Sequence, residues 1–173
     1  TVTEIHDYLR LLFARAGTPH CPDHGLPLQA QTVSQMVDAT LALPEETRIM
    51  LLAPIARERK GEFADTLAQM QARGYVRFRI DGQVVDATEL PALEKNERHN
   101  IDVVIDRLKV RPDVRQRLAE SFEAALHLAD GRAIVAEMDS GAEHLFNARY
   151  ACPQCHYSIS ALEPRMFSFN APQ

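Results

Sequence analysis

The chain has 173 residues, of which 46% are hydrophobic, which is enough for one ordinary core and a small appendage. Its 24 acidic residues outnumber its 19 basic residues, and the net charge of −5 argues against a surface devoted wholly to nucleic acid. The sequence has no apolar run long enough to span a membrane and opens on no secretory leader, so it predicts a soluble protein of the cytoplasm with no membrane partner.

The first predicted helix covers residues 3 to 16. The capping-box residues Thr1-Val2-Thr3-Glu4 mark its start, apolar residues then recur at helical spacing, and Gly17 supplies a C-cap. A loop is predicted from Thr18 to Leu28, because three prolines and Gly25 interrupt any periodic pattern. The chain opens on these capping residues without an initiator methionine, which suggests a segment of a longer polypeptide.

Helix and strand signals alternate through the rest of the chain. They predict a helix from Thr32 to Pro44, a strand from Ile49 to Ile55, a helix from Phe63 to Gly74, a hairpin of Val76–Ile80 and Gln83–Asp86 around Asp81-Gly82, a strand from Ile101 to Val110, a helix from Pro112 to Asp130, and strands at Ala133–Met138 and His144–Phe146. The charged residues 57 to 61 predict a turn, and residues 87 to 100 predict an irregular segment. This order predicts an α+β fold, a largely antiparallel sheet with helices on one face.

Two metal-ligand pairs lie near opposite ends of the chain, CPDH at residues 21–24 and CPQC at residues 152–155. Three thiolates and one imidazole complete a tetrahedral Zn²⁺ shell, and the two pairs use every cysteine of the sequence. If one ion binds both pairs, residues 25 to 151 form an excursion whose ends meet at the metal. The sequence therefore predicts zinc bound by Cys21, His24, Cys152 and Cys155, and a domain inserted into a zinc-stapled stem.

Other interpretations of these ligand pairs stay open at this level. A CxxC pair can be a redox motif, although here no strand-to-helix turn of a thioredoxin-like unit precedes it. The second pair can instead join ligands beyond Gln173, which leaves the first pair as ordinary loop residues. His20 and His156 are adjacent to predicted ligands and could replace them geometrically.

Catalytic motifs are not found in the sequence. It contains no GxxxxGK[ST] phosphate loop, no GxSxG elbow, no HExxH and no glycine-rich dinucleotide turn. The remaining histidines, His6, His99, His127 and His144, are scattered and have no spaced partner. We therefore expect no enzyme activity and no ATP binding from this segment by itself.

Five stretches carry a family resemblance: residues 1–15, Gln31-Thr32-Val33, Leu52-Ala53-Pro54-Ile55, Gly74-Tyr75-Val76-Arg77 and residues 162–170. They resemble the UvrA family, the damage-sensing ATPases of bacterial nucleotide excision repair, over essentially the whole chain. The resemblance implies that residues 1 to 28 and 147 to 173 belong to the first nucleotide-binding half and its first zinc module, and that residues 29 to 146 are an inserted domain that docks UvrB. It also implies that ATP binding, DNA binding and homodimer formation belong to the full-length protein, whereas the segment alone is expected to be a monomer.

The same resemblance implies that Arg77 and Arg107 bind UvrB through charge pairs. Alternation places Arg77 on one face of its strand, and it gives Arg107 the parity of Ile101. A structural alternative is that both arginines pair with local acids such as Asp81 and Asp106.

A second functional class is a DNA-contacting element of the same repair protein. Its basic patch would be formed near Arg57, Arg59 and Lys60, a cluster that only Glu58 interrupts. Few aromatic residues accompany this cluster and the chain is acidic, so protein docking is favoured over DNA contact.

Overall fold

The computed structural model describes residues 2–61, 63–152, 154–155, 157–159, 162 and 164–167. The chain separates into two compact units, the first made of Thr1–Gln31 with Arg149–Gln173 and the second of Thr32–Ala148. That residues 1 to 28 and 147 to 173 form a stem and residues 29 to 146 an inserted domain stays a prediction.

Helices and strands alternate along the described residues. They are α1 (Val2–Ala16), α2 (Val33–Leu41), β1 (Arg48–Lys60), α3 (Ala64–Ala72), β2 (Arg77–Ile80), β3 (Gln83–Asp86), β4 (Arg98–Lys109), α4 (Arg115–Leu128), β5 (Arg132–Glu137), β6 (Glu143–Asn147), β7 (Tyr150–Ala151) and β8 (Ser158–Ile159). Short 3-10 turns cover Ala87–Glu89, Pro112–Val114 and Pro164–Phe167. In this part of the chain, none of the helices combines the length and the apolar character that a membrane span requires.

The second unit is built on a six-stranded sheet with the order β3-β2-β4-β1-β5-β6. Every neighbouring pair is antiparallel, and β1 lies inside the sheet because it pairs with β4 on one side and with β5 on the other. The predicted α+β fold with a largely antiparallel sheet is confirmed.

Helices α2, α3 and α4 pack on one face of this sheet. Their apolar residues share a core with strand residues, and Phe122 of α4 packs edge-on against Phe146 of β6 with ring centroids 5.3 Å apart. The opposite face, called here the helix-free face, carries a smaller buried cluster drawn from strands alone: Met50, Leu52, Val104, Ile134 and Ala136. The helices therefore lie on one face of the sheet, as predicted.

The capping box predicted before α2 is confirmed. The Thr32 side chain accepts a hydrogen bond from the Gln35 backbone N–H at 3.2 Å, and the Gln35 side-chain oxygen accepts one from the Thr32 backbone N–H at 2.9 Å. Together they satisfy two N–H groups that a helix start would otherwise leave unpaired. The capping box predicted at Thr1 to Glu4 depends on residues outside the described part of the chain.

Two central strands are longer than the sequence predicts. Strand β1 continues to Lys60, through the charged run predicted as a turn, and β4 already begins at Arg98. Long-range contacts account for the difference, since the Asn100 side chain accepts a hydrogen bond from the Glu58 backbone N–H at 2.9 Å. Pairing with a partner strand thus outweighs local polarity here.

A bulge in β4 changes the face on which Arg107 lies. The pairing of β4 with β1 skips Ile105, and beyond that point Arg107 lies opposite Met50, a residue of the helix-free cluster. The sequence parity that Arg107 shares with Ile101 therefore does not put the two side chains on one face, because one extra residue reverses the alternation of every side chain that follows it.

The first unit contains α1 and the antiparallel pair β7–β8. Its buried cluster is small: Cys21, Leu28 and Cys152, with Tyr150 and Ile159 packed against them. Apolar burial among the described residues around this cluster therefore contributes little stabilisation.

Candidate functional site

Two backbone turns present the predicted metal ligands. After the first pair, the backbone N–H of Gly25 donates to the carbonyl of Cys21 at 2.9 Å, and Gly25 has a φ of +63°, a left-handed conformation that suits glycine. At the second pair, the Cys152 N–H donates to the Tyr157 carbonyl at 2.8 Å. In the first segment the bond closes a tight turn from Cys21 to Gly25, and in the second it ties Cys152 to Tyr157.

The structure brings the four predicted ligand residues together. One ligand atom from each of Cys21, His24, Cys152 and Cys155 lies within 4.8 Å of the other three. The Sγ atom of Cys21 is 3.5 Å from Cys155 Sγ and 3.6 Å from His24 Nδ1. The Sγ atom of Cys152 is 3.9 Å from His24 Nδ1.

These separations fit a single tetrahedral ion. With Zn–S near ~2.3 Å and Zn–N near ~2.0 Å, a tetrahedron has S···S edges of about 3.8 Å and S···N edges of about 3.5 Å. The cluster can therefore hold a metal ion, and three thiolates with one imidazole are compatible with zinc. If Cys152 and Cys155 instead bound a metal together with ligands beyond Gln173, nothing would require Cys21 and His24 to lie beside them.

Burial and acidity differ among the ligands. Cys21 and Cys152 are buried, whereas His24 and Cys155 are exposed. The pKa of the Cys152 thiol is lowered to about 7, because backbone N–H groups of Cys155 and Gln154 and the neighbouring thiols outweigh the effect of burial, which raises it. Since a metal-bound cysteine is deprotonated, the environment of Cys152 favours the ligand form, whereas the pKa of Cys155 is raised.

Arg77 and Arg107 both lie on the helix-free face. In β2, Arg77 alternates with Phe78, which is buried in the core under the helices. In β4, Arg107 lies opposite Met50 of the helix-free cluster. Both side chains are exposed. Two cations of a rigid sheet thus share one solvent-facing surface.

Neither arginine has an ion-pair partner within 4.0 Å among the described residues. The two acids predicted as local partners are bound elsewhere, Asp81 by a histidine of β4 and Asp106 by an arginine of α4. Asp86 lies opposite Arg77 in the sheet, but its Oδ1 accepts hydrogen bonds from the backbone N–H and the hydroxyl of Thr88. Among the described residues, neither arginine therefore forms a close ion pair with a local acid, although the pKa of Asp86, lowered mainly by those hydrogen bonds from Thr88, is lowered further by the charge of Arg77.

The neighbouring Arg79 belongs instead to a buried ion network. Its Nε donates to Asp102 Oδ2 at 2.8 Å, Arg57 Nη2 lies 2.6 Å from Asp102 Oδ1, and Arg79 also pairs with Glu143. Burial raises the pKa of Asp102, which is 1% exposed, and the charges of Arg57 and Arg79 oppose that effect. The carboxylate is stabilised by both guanidiniums.

This network also implies a curled sheet. Arg79 is on β2 and Glu143 is on β6, and four strand-to-strand steps separate these strands. On a flat sheet the steps would add up to about 19 Å, further than one arginine and one glutamate can bridge. The sheet therefore curls around the helix-free cluster.

Comparisons with known proteins show the family to which the chain belongs. A family model described as the UvrA interaction domain matches residues 31–139. The chain belongs to the UvrA family. It is 66% identical to UvrABC system protein A of Neisseria meningitidis serogroup A / serotype 4A, 61% to that of Pseudomonas aeruginosa and 61% to that of Escherichia coli (strain K12), each over 99% of this chain. The chain spans 18% of the length of these relatives.

In this UvrA-family chain, the basic cluster predicted for DNA contact is only partly free. Arg57 is held by Asp102, whereas Arg59 and Lys60 are exposed at the end of β1. Lys60 lies opposite Arg98 of β4, which adds a third exposed cation to that end of the sheet. The patch therefore consists of Arg59, Lys60 and Arg98 rather than the predicted three residues.

A buried histidine lies beside this patch. His99 Nδ1 is 2.8 Å from Asp81 Oδ2 and its Nε2 is 3.3 Å from the Glu94 carbonyl. The hydrogen bond with the Asp81 carboxylate is the main cause that raises the pKa of His99. Burial raises the pKa of Asp81, but the Asn100 backbone N–H and His99 lower it further, so its pKa falls below the ordinary value.

The residues that shape the helix-free face of this UvrA-family chain are absent from the sequence-based predictions. Asp102 has a visible signal, a carboxylate inside an otherwise apolar strand segment, and such residues are buried only when they are paired. Leu145 gives no signal, because its exposure depends on strand order. The positions of Asp102 and Leu145 on this face can be assigned only once the register of the sheet is known.

Proposed function

We propose that this chain is the part of a UvrA protein that docks UvrB during bacterial nucleotide excision repair. The match to the UvrA interaction domain supports this proposal, together with the similarity to UvrABC system proteins. The full-length protein, cytoplasmic and homodimeric, is proposed to bind ATP and DNA through regions beyond this segment.

The observation that carries the proposal is the pair of unpaired cations on the helix-free face. Arg77 and Arg107 extend from paired strands, so their backbones need little ordering when a partner binds. A guanidinium presents a planar fork of donors that matches a carboxylate in two parallel hydrogen bonds. The face is therefore suited to an acidic surface on UvrB.

The lack of a carboxylate partner separates these two residues from four other exposed arginines of the unit. Arg48, Arg111, Arg115 and Arg117 each bind a carboxylate within the same unit. Arg77 and Arg107 have no such partner in the part of the chain that the structure describes. Exposed surface pairs contribute little to folding, so leaving these two free costs the fold almost nothing.

The metal is proposed to be a single structural Zn²⁺ held by Cys21, His24, Cys152 and Cys155. Four protein ligands fill a tetrahedral shell and leave no open position for a substrate or a catalytic water. The ion would cross-link the two chain segments that flank residues 25 to 151. The proposed role of zinc is thus to hold the stem together.

A second candidate function is DNA contact through Arg59, Lys60 and Arg98. Three exposed cations at one end of the sheet favour binding of phosphates. Phosphate binding of this kind weakens steeply as salt rises. A gel-shift titration with duplex DNA at increasing salt tests it, and charge reversal at Lys60 should abolish any shift that these residues produce.

The docking proposal is tested with Arg77→Glu and Arg107→Glu in the 173-residue chain. We expect each variant to weaken UvrB binding by about tenfold or more, because losing a desolvated charge pair costs about 2 to 5 kcal/mol. Melting temperatures should stay close to that of the wild type. Isothermal titration calorimetry with purified UvrB and thermal unfolding measure the two effects separately.

Arg73→Glu is the matched control. Arg73 is exposed, lies at the C-terminal end of α3 and has no strand position on the helix-free face, yet its reversal changes the net charge equally. Its affinity for UvrB should therefore stay near that of the wild type. Equal losses in all three variants would indicate a general charge effect, and wild-type affinity in both Arg77 and Arg107 variants would refute the docking face.

A further inference from the structure

Residues of the helix-free face form a row that crosses the sheet. Leu145 on β6 lies opposite Ile134 on β5, and Ile134 lies opposite Leu52 on β1. Leu52 lies opposite Val104 on β4, and Arg77 on β2 is one residue beyond the Phe78↔Val103 pair, which places it beside Val104. The row therefore runs from Arg77 to Leu145.

Only the two ends of this row are open to solvent. Val104, Leu52 and Ile134 are 8%, 0% and 2% exposed, whereas Leu145 is 52% exposed. Arg77 is the exposed cation at the other end. A continuous apolar strip thus connects the proposed docking cation to a half-open leucine.

The exposed leucine is on an edge strand. Strand β6 ends the sheet on one side, and an exposed apolar residue on a strand edge invites association unless something covers it. At the other edge, β3 likewise carries a half-open apolar residue on the same face, since Val84 lies opposite Arg79 and is 42% exposed. The helix-free face is therefore bordered by apolar residues as well as by cations.

We infer that Leu145 contacts the same partner surface as Arg77 and Arg107, and that UvrB presents there an apolar side chain beside its carboxylates. This inference rests on the proposed docking function and identifies the chemistry of the partner. The guanidiniums without an ion-pair partner are suited to acidic groups on the partner, and the half-open Leu145 at the far end of the row is suited to a hydrophobic group next to them. An acidic surface without an apolar residue would leave Leu145 in water.

Charge and apolar contacts respond differently to salt, which separates their contributions. Ionic contacts weaken as salt rises, whereas apolar burial does not. Leu145→Ala should therefore lower UvrB affinity by about three- to tenfold and leave the salt dependence of binding unchanged. Arg77→Glu should both lower the affinity and flatten its salt dependence. Leu145→Met, which keeps apolar bulk, should bind nearly as well as the wild type.

The measurement is the dissociation constant of the 173-residue chain for purified UvrB at four salt concentrations, with a melting temperature for each variant. Val76→Ala is the control, because Val76 is 60% exposed and belongs to neither end of the row. Its affinity should match that of the wild type. The inference is supported if Leu145→Ala alone among the two alanine variants loses affinity.

Each other result overturns the inference at an identifiable level. If the arginine variants lose affinity and Leu145→Ala does not, docking stands and the apolar contact is wrong. If Leu145→Ala loses affinity together with a large fall in melting temperature, while Leu145→Met also binds weakly, the leucine is structural. If the wild-type chain does not bind UvrB, the inference fails together with the docking function.

Discussion

Removing the metal should unfold the ligand loops of the first unit while the second unit stays folded. The two units depend on different sources of stability. Around the ligands, the buried apolar cluster of the described residues contains only Leu28 besides two cysteines, with Tyr150 and Ile159 partly buried against it. Among the described residues, the core of the second unit contains 20 buried residues, drawn mainly from three helices and five strands, so it does not depend on the metal.

The free energies of apolar burial and of zinc binding support this difference between the two units. Burying one leucine contributes about 1.5 to 3 kcal/mol, and the two partly buried residues contribute less than that each. A structural zinc ion in a small module contributes apparent free energies of about 10 to 16 kcal/mol near neutral pH. The metal therefore dominates the stability of the loops, and chelation removes the larger part of it.

Hydrogen exchange with mass spectrometry resolves the two units. In the zinc-loaded chain, the backbone N–H groups of Cys21, Gly25, Leu28 and Cys152 donate hydrogen bonds within the loops and should exchange slowly. After chelation, peptides that contain them should exchange within seconds, and peptides from β1 and α4 should keep their protection. Cys155→Ser in the presence of zinc should reproduce part of the effect.

Two results would refute this reasoning. Elemental analysis that finds no zinc in a carefully purified chain removes the shared site. Loss of protection throughout the second unit on chelation would show that the sheet depends on the metal, contrary to its separate core.

Two further predictions concern buried charges. Asp102→Ala should lower the free energy of unfolding by about 3 to 5 kcal/mol in urea titrations, because it leaves Arg57 and Arg79 without their buried carboxylate; a loss below 1 kcal/mol would contradict this. The raised pKa of His99 contributes stability at pH values below its ordinary pKa of 6.5, and this contribution is lost as pH rises through its folded-state pKa. The lowered pKa of Asp81 contributes stability at pH values above its ordinary pKa of 3.8, and this contribution is lost as pH falls through its folded-state pKa. Melting temperatures should show this contribution between pH 4 and 6.5 and lose it in His99→Gln; an unchanged pH profile would contradict the pairing.

The sequence predicts those features that depend on local spacing. The four cysteine and histidine residues that the structure brings together are predicted from two-residue spacers, and α2 from a capping box of Thr32 and Gln35, since each pattern involves neighbours in the chain. Both kinds of feature can be predicted because their physical cause lies within a few residues.

Features that depend on strand pairing could not be predicted. Residues 57 to 60 look like a solvated turn until Asp102 and Asn100 on another strand provide partners. One bulged residue, Ile105, decides the face of Arg107, and no local pattern marks it. The docking face therefore follows from register, which only the folded sheet reveals.

The most direct test of the docking account is a mixture of the 173-residue chain with purified UvrB on a sizing column. The account predicts that both proteins elute together, earlier than either alone, and that the double variant Arg77→Glu, Arg107→Glu elutes separately from UvrB while remaining folded. Separate elution of the wild-type chain and UvrB at micromolar concentrations would contradict the proposed function.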